Sequence, residues 1–310
     1  MKNKSFIITV DTEGDNLWSW CDGKEITTRN AFYISRFQEL CEKYGFKPTY
    51  LTNYEMALED RWVEYGKQKA KLGLCEIGMH IHAWNSPPLY NLDRVYSGNP
   101  YITEYPEHII NAKVQYIVEL LERKFEVKIL SSRSGRWATN DEYFAALKRT
   151  GIKIDCSVTP EMNLSSISGC SQNIGNDYSK CNKCSYEIYP GIIEVPMTTR
   201  HINWFANGSI RHGLKAFVVG EDMWLRPHKK SLRYLQTLTH SVEKEECDYL
   251  EFMLHSSELM PGGSPYFKNS QDVENLYDLL ESYFSIIKAK GYTGDTLTEY
   301  YRKRFDDGDY

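Results

Sequence analysis

Short apolar runs alternate with amphipathic segments along nearly the whole of this 310-residue chain. SFIITVD (5–11) is rich in β-branched residues and reads as a buried strand. FKPTYLT (46–52), CEIGMHIH (75–82), KILSSR (128–133), IKIDCSV (152–158) and YLEFMLH (249–255) read the same way. Helical periodicity fills the gaps. Residues 29–44 set Phe32, Phe37, Leu40, Cys41 and Tyr44 at helical spacing, and Gly45 follows as a stop. Further helices are expected over 55–73, 107–125 and 270–289, and over 140–151 between an Asn cap and a Gly stop. Strand–helix alternation predicts an α/β protein with a parallel sheet, open or closed into a barrel. No repeat or linker divides the chain, so residues 1–310 are expected to form one catalytic domain. The Ser-, Asn- and Gly-rich stretch 160–186 reads as a long inserted loop.

Reactive groups gather at the ends of the predicted strands: Asp11 and Glu13, His80 and His82, Arg133, and His255. In barrel enzymes the C-terminal strand ends carry the chemistry, because loops there vary without disturbing the core. Residues two apart on a strand face the same side. Asp11 and Glu13 can therefore point together as one metal ligand and one general base, or form a solvated acidic turn. His80 and His82 have the same spacing, and imidazoles beside a carboxylate suit zinc or a similar divalent ion. Arg133 can hold a carboxylate ionised, or sit exposed in a turn. Arg136 is a second candidate for that role, or for gripping an acidic group on a substrate. His255 follows a buried run and can serve as a general acid near neutral pH, or be a satisfied core histidine.

Thirty-seven basic and 42 acidic residues are interspersed, for a formal charge of −5. No basic stripe marks a nucleic-acid partner. No apolar run approaches the roughly 20 residues of a membrane span. The opening MKNKSFIITVDTEGD has an apolar stretch of only about six residues, too short for a signal-peptide core, so a cytoplasmic location is expected. On that expectation most of the eight cysteines are reduced. Cys170, Cys181 and Cys184 include a C-x-x-C spacing that a structural zinc site uses, the alternative being thiols in a polar loop.

Taken together, VDTEGD, EIGMHIHAWNSPP, SSRSGRWATN, GIKIDCSVTP, IIEVPMT and FMLHSSELMPGGSPYF, spanning residues 10–267, resemble the polysaccharide deacetylases, the NodB-homology carbohydrate esterases. Members encoded in lipopolysaccharide or capsule biosynthesis clusters are the nearest in character. The resemblance implies an irregular (β/α) barrel that removes acetyl groups from N-acetylated sugars with one divalent metal ion, most readily zinc. It assigns Asp11 as catalytic base, Arg133 as its partner and His255 as acid. Glu13, His80 and His82 fall on the metal ligands. The family's ligand carboxylate usually follows the base directly, whereas Thr12 intervenes here. Its two histidines are usually four apart, whereas the +4 position here is Trp84. Trp84 and Trp137, each beside a motif, offer faces for a sugar ring or for core packing. Two other readings share these residues: a glycan-binding barrel without catalysis, and a metal amidohydrolase acting on a non-sugar amide.

Overall fold

The computed structural model describes residues 4–19, 24–172, 175–202, 220–227, 231–245 and 247–306. The chain opens with β1 (Ser5–Thr12), α1 (Ile34–Tyr44), β2 (Pro48–Thr52), α2 (Tyr54–Ala57), α3 (Asp60–Lys71) and β3 (Glu76–Ile81). It continues through α4 (Glu107–Phe125), β4 (Ser131–Ser134), α5 (Asp141–Thr150), β5 (Ile154–Asp155), β6 (Tyr186–Tyr189) and β7 (Ile192–Glu194). There follow β8 (Thr199–Ile202), β9 (Glu221–Trp224), α6 (Leu232–Glu243) and β10 (Tyr249–His255). Last come α7 (Ser270–Ala289), β11 (Thr293–Asp295) and α8 (Leu297–Phe305).

Nine strands form one curled sheet in the order β10-β1-β2-β3-β4-β5-β7-β6, with β11 beside the first half of β1. Every pairing in it is parallel except β6 with β7. β8 and β9 make a separate antiparallel pair. The seam beside β10 is irregular: Met253 N–H donates to Leu225 O, and Leu225 N–H to Thr198 O. The result is the irregular (β/α) barrel that the sequence resemblance implied.

Strand parity sorts the side chains into two cores. Phe6, Ile8 and Val10 face outward, under the helices. There Phe6 packs against Phe46, Tyr283 and Phe284 at centroid distances of 5.0–6.0 Å. Ile7 faces the interior with Leu51, Ile154 and Tyr249, and Leu297 and Tyr300 of α8 plug that end. The plug is tied by Glu76, which accepts Thr298 N–H at 2.9 Å and Thr298 Oγ1 at 2.8 Å. Gly78 faces the same crowded interior, where a Cβ would come within 2.7 Å of Leu51 Cδ2.

Two expected helices are each divided. Residues 29–32 form a 3-10 turn before α1, and Glu59 breaks the next helix by accepting Arg61 N–H with its side chain. The expected strand over 152–158 pairs only at Ile154–Asp155. The cysteine expectation is corrected at one place. Cys184 is bonded to Cys247, with Cα atoms 5.2 Å apart, so it is neither a thiol nor a zinc ligand. Sixty-three residues separate the two in sequence, so spacing could not reveal the bond. Cys41, Cys75, Cys156 and Cys181 are free thiols, Cys170 is buried, and Cys21 lies outside the described residues.

If α8 is the plug of the barrel, Leu297→Ala empties a fully buried site. It should lower unfolding stability by about 2–5 kcal/mol, read as a lower urea midpoint. The same truncation at the half-exposed Leu58 should cost far less.

Candidate active site

Register brings the predicted residues to one rim. Asp11 pairs with His255 across β1 and β10, and His80 with Arg133 across β3 and β4. Each stands at or just past the C-terminal end of a parallel strand. A cavity of about 310 Å3 opens there, lined by Asp11, Glu13, His80, His82 and His255 together with Trp18. Leu17, Trp84, Asn99, Ser134, Arg136 and Trp137 complete its wall.

Three buried ligand atoms converge in it. Glu13 Oε2 lies 3.3 Å from His80 Nε2 and 3.1 Å from His82 Nε2, and the two Nε2 atoms are 3.0 Å apart. His80 Nδ1 is 3.0 Å from Arg133 O, a contact that needs an N–H on Nδ1 and so leaves the Nε2 lone pair for a ligand. Two imidazole nitrogens and a carboxylate oxygen this close need a proton or a cation between them. Their donor set fits a divalent metal: all three ligand atoms lie within 4.8 Å of one another. Burial opposes ionisation of Glu13, but His82 and His255, with hydrogen bonds from both metal-site histidines, hold its carboxyl well below the usual range. Burial likewise disfavours a charged His80, yet Asp11 and Glu13 outweigh it and raise its pKa.

Local structure aims His82. Its ring stacks on Trp84, with centroids 4.3 Å apart and planes 15° from parallel. Gly135 leaves the room it needs, because a Cβ there would overlap His82 Cδ2. The turn that follows holds Arg136 at φ 59° and Trp137 at φ 60°, a left-handed conformation that costs such residues energy.

Asp11 is paired through Arg133, whose Nη1 donates to Asp11 Oδ1 at 2.6 Å. The guanidinium is fully buried; its Nε donates to Cys156 O at 3.1 Å and Nη2 to Thr9 Oγ1 at 2.9 Å and to Glu251. Trp137 covers it, 4.9 Å from the guanidinium carbon. Burial pushes the Asp11 carboxyl up, but Arg133, His80 and His255 prevail and lower its pKa. Oδ2 stays free of Arg133 and faces the cavity.

His255 Nε2 lies 3.8 Å from both Asp11 Oδ2 and Glu13 Oε1. Its Nδ1 is 3.3 Å from Arg226 Nη2 and 3.5 Å from Glu258 Oε2. Trp18 meets the ring edge-on at 4.8 Å and donates its indole N–H to Ser257 Oγ at 3.1 Å. Glu258 accepts from Arg226 and from His255 N–H. Against burial, Arg226 and His255 hold its carboxyl down to about 2.

Thus Asp11, Glu13, His80, His82, Arg133 and His255 come together at one mouth, with Trp84 and Trp137 on its wall. Arg136 also lines the wall, but its guanidinium donates to Ser168 O at 2.8 Å and to Asn99 O, and it lies over Tyr101. Those bonds tie two loops together. Sequence reasoning missed Trp18, Arg226, Glu251 and Glu258. The spacing of His255 and Glu258 has the form of a capping box, which is how Glu258 could have been found. Arg226 and Trp18 carry no local signal.

No family model matches the chain, and no curated protein matches it. Solved structures do. One is a Mycobacterium smegmatis protein assigned as a polysaccharide deacetylase (TM-score 0.57, 12% identity, covering 97% of this chain and 90% of that one). A second is a Parabacteroides distasonis protein assigned as a glycoside hydrolase/deacetylase (TM-score 0.63, 9% identity, 98% and 72%). A third is a branching enzyme from Thermococcus kodakaraensis (TM-score 0.57, 12% identity, 100% and 72%). At these identities the shared property is the fold.

Two measurements check the site. A divalent ion bound by Glu13, His80 and His82 should stabilise the wild type by about 2.7 kcal/mol at roughly a hundredfold excess over its dissociation constant. His82→Ala should remove most of that gain. An equal shift in both proteins would mean the ion binds elsewhere. Separately, the depressed Glu258 pKa means its charge stabilises the fold above the ordinary value of 4.5, a contribution lost as pH falls toward about 2. Glu258→Gln should therefore be less stable than wild type near neutrality, and the difference should shrink on acidification.

Proposed function

We propose that this chain is a metal-dependent N-deacetylase of an N-acetylated sugar, acting as one catalytic domain whose sheet runs from Ser5 to Asp295. The observation that carries the reading is the position of His255 Nε2, 3.8 Å from the free oxygen of Asp11 and equally far from a carboxylate oxygen of Glu13. Base, acid and metal-site carboxylate thereby share one cavity. The deacetylase assignment of similar folds supports the reading.

A divalent ion held by Glu13, His80 and His82 would supply Lewis acidity for the acetyl carbonyl and lower the pKa of a water; two imidazoles and a carboxylate favour zinc. Asp11 accepts the water's proton at Oδ2, since Arg133 occupies Oδ1. Arg133 keeps that carboxylate ionised and in place. The His255 side chain, from Nε2, gives a proton to the departing nitrogen, without which an amine is a poor leaving group. Trp18, Trp84 and Trp137 present aromatic faces to the sugar and narrow the access of bulk water. The substrate we favour is a precursor of a cell-surface polysaccharide, nucleotide-linked or lipid-linked.

Acetate release from N-acetylhexosamines and their nucleotide- and lipid-linked conjugates tests this. Chelation should abolish release and metal should restore it. Asp11→Asn and His255→Ala should each lower kcat by about 10²–10⁴-fold with little change in KM. Metal-loaded wild type that frees no acetate from any of these would sink the proposal. Unchanged turnover in His255→Ala would remove the acid assignment.

A further inference from the structure

The barrel interior holds a carboxyl to which the deacetylation steps give no task. Glu251 lies on β10, on the same face as His255 by strand parity, and is fully buried. Its Oε1 accepts from Thr9 Oγ1 at 2.9 Å and from Arg133 Nη2. Oε2 is buried and has no hydrogen-bond partner. Arg133 therefore has a carboxyl on each side, Asp11 at Nη1 and Glu251 at Nη2. One guanidinium cannot neutralise two carboxylates, and a carboxylate oxygen without a donor is costly in a dry interior. A carboxylic acid at Glu251 removes the first problem and lessens the second, since an unpaired neutral hydroxyl is less costly than an unpaired anionic oxygen.

On the deacetylase reading above, we propose that Glu251 is a positioning residue that acts in its acid form, leaving the charge of Arg133 to Asp11. Its ionisation then slows turnover. An ionised Glu251 competes for Arg133 and adds negative charge beneath the site where the acetyl oxygen becomes anionic.

The groups facing Glu251 agree. Burial pushes its carboxyl up to about 7, against Arg133 and the Thr9 hydrogen bond, and Asp11 adds to the rise. Glu194 of β7 feels Glu251 electrostatically, and its own carboxyl is pushed well above the usual range by burial and by Asp155. Cys156, just past β5, is kept a thiol by burial in spite of Arg133. Tyr249 on the same strand is kept a phenol by burial. No other cation than Arg133 bonds Glu251 among the described residues.

The test is the pH dependence of kcat/KM for wild type and Glu251→Gln, from about pH 5 to about pH 9. Wild type should lose activity above the Glu251 pKa, by up to about tenfold per pH unit. Glu251→Gln should lack that limb while matching wild type at the acidic end within about threefold. Identical limbs in the two proteins overturn the proposal. So does a loss at every pH in a variant whose circular dichroism and metal content are unchanged. Carbon-13 NMR of the glutamate carboxyls supplies a readout independent of turnover: a resonance missing from Glu251→Gln should titrate near neutrality. Acetate release with that resonance titrating in the ordinary carboxylate range overturns the Glu251 proposal alone. Absence of acetate at all pH values overturns the deacetylase reading and the catalytic proposal with it.

Discussion

A guanidinium sealed from water must be neutralised and hydrogen-bonded by protein, and Arg133 sits where neighbouring segments converge to do so. Asp11 and Thr9 come from β1, Glu251 from β10 and the Cys156 carbonyl from just past β5. Trp137 closes the remaining side. Ion pairs of this kind contribute little net stability, because desolvation offsets attraction, but removing one partner strands a buried charge at about 3–5 kcal/mol. The arrangement therefore makes sense for what it does to Asp11, holding one carboxylate oxygen and leaving the other bare.

The same interior changes character along its axis. At one end Ile7, Leu51, Tyr249, Leu297 and Tyr300 pack as an apolar plug. Toward the other, polar and ionisable side chains enter: Ile7 gives way to Thr9 and then Asp11, and Tyr249 to Glu251 and, past Met253, to His255. The plug keeps water from one end, which raises the interaction energy of every charge above it. Arg133, Asp11 and Glu251 act on one another strongly because the floor is dry.

The cavity wall is built by loops that brace each other. Glu104 accepts backbone N–H groups of Cys170, Ser171 and Gln172, and Arg136 spans Asn99 and Ser168. The left-handed turn at Arg136 and Trp137 turns one of these residues toward the loops and the other over Arg133. The Cys184–Cys247 bond anchors the end of the inserted stretch to the approach of β10, the strand that ends in His255.

Six strands (β1 to β5 and β10), helix 107–125 and the six residues at the rim were legible because each depends on a local signal: an apolar run, periodicity along a helix, a reactive group where an apolar run stops. The short strands β6 to β9 and β11 carry too few residues for such a signal. Boundaries that depend on a side-chain cap, such as the break at Glu59, were not. Nor were partnerships of residues far apart in the chain. Glu251 reads as one polar residue in an apolar strand until β1 and β4 bring Thr9 and Arg133 beside it, 242 and 118 residues away. The amino-acid order by itself determined which side chains share a strand face and which stand where an apolar run stops, the first by the two-residue period of a strand and the second by the change from apolar to reactive residues. Tertiary structure decided which of them meet, because only the register and curl of the parallel sheet convert positions along the chain into distances between charges.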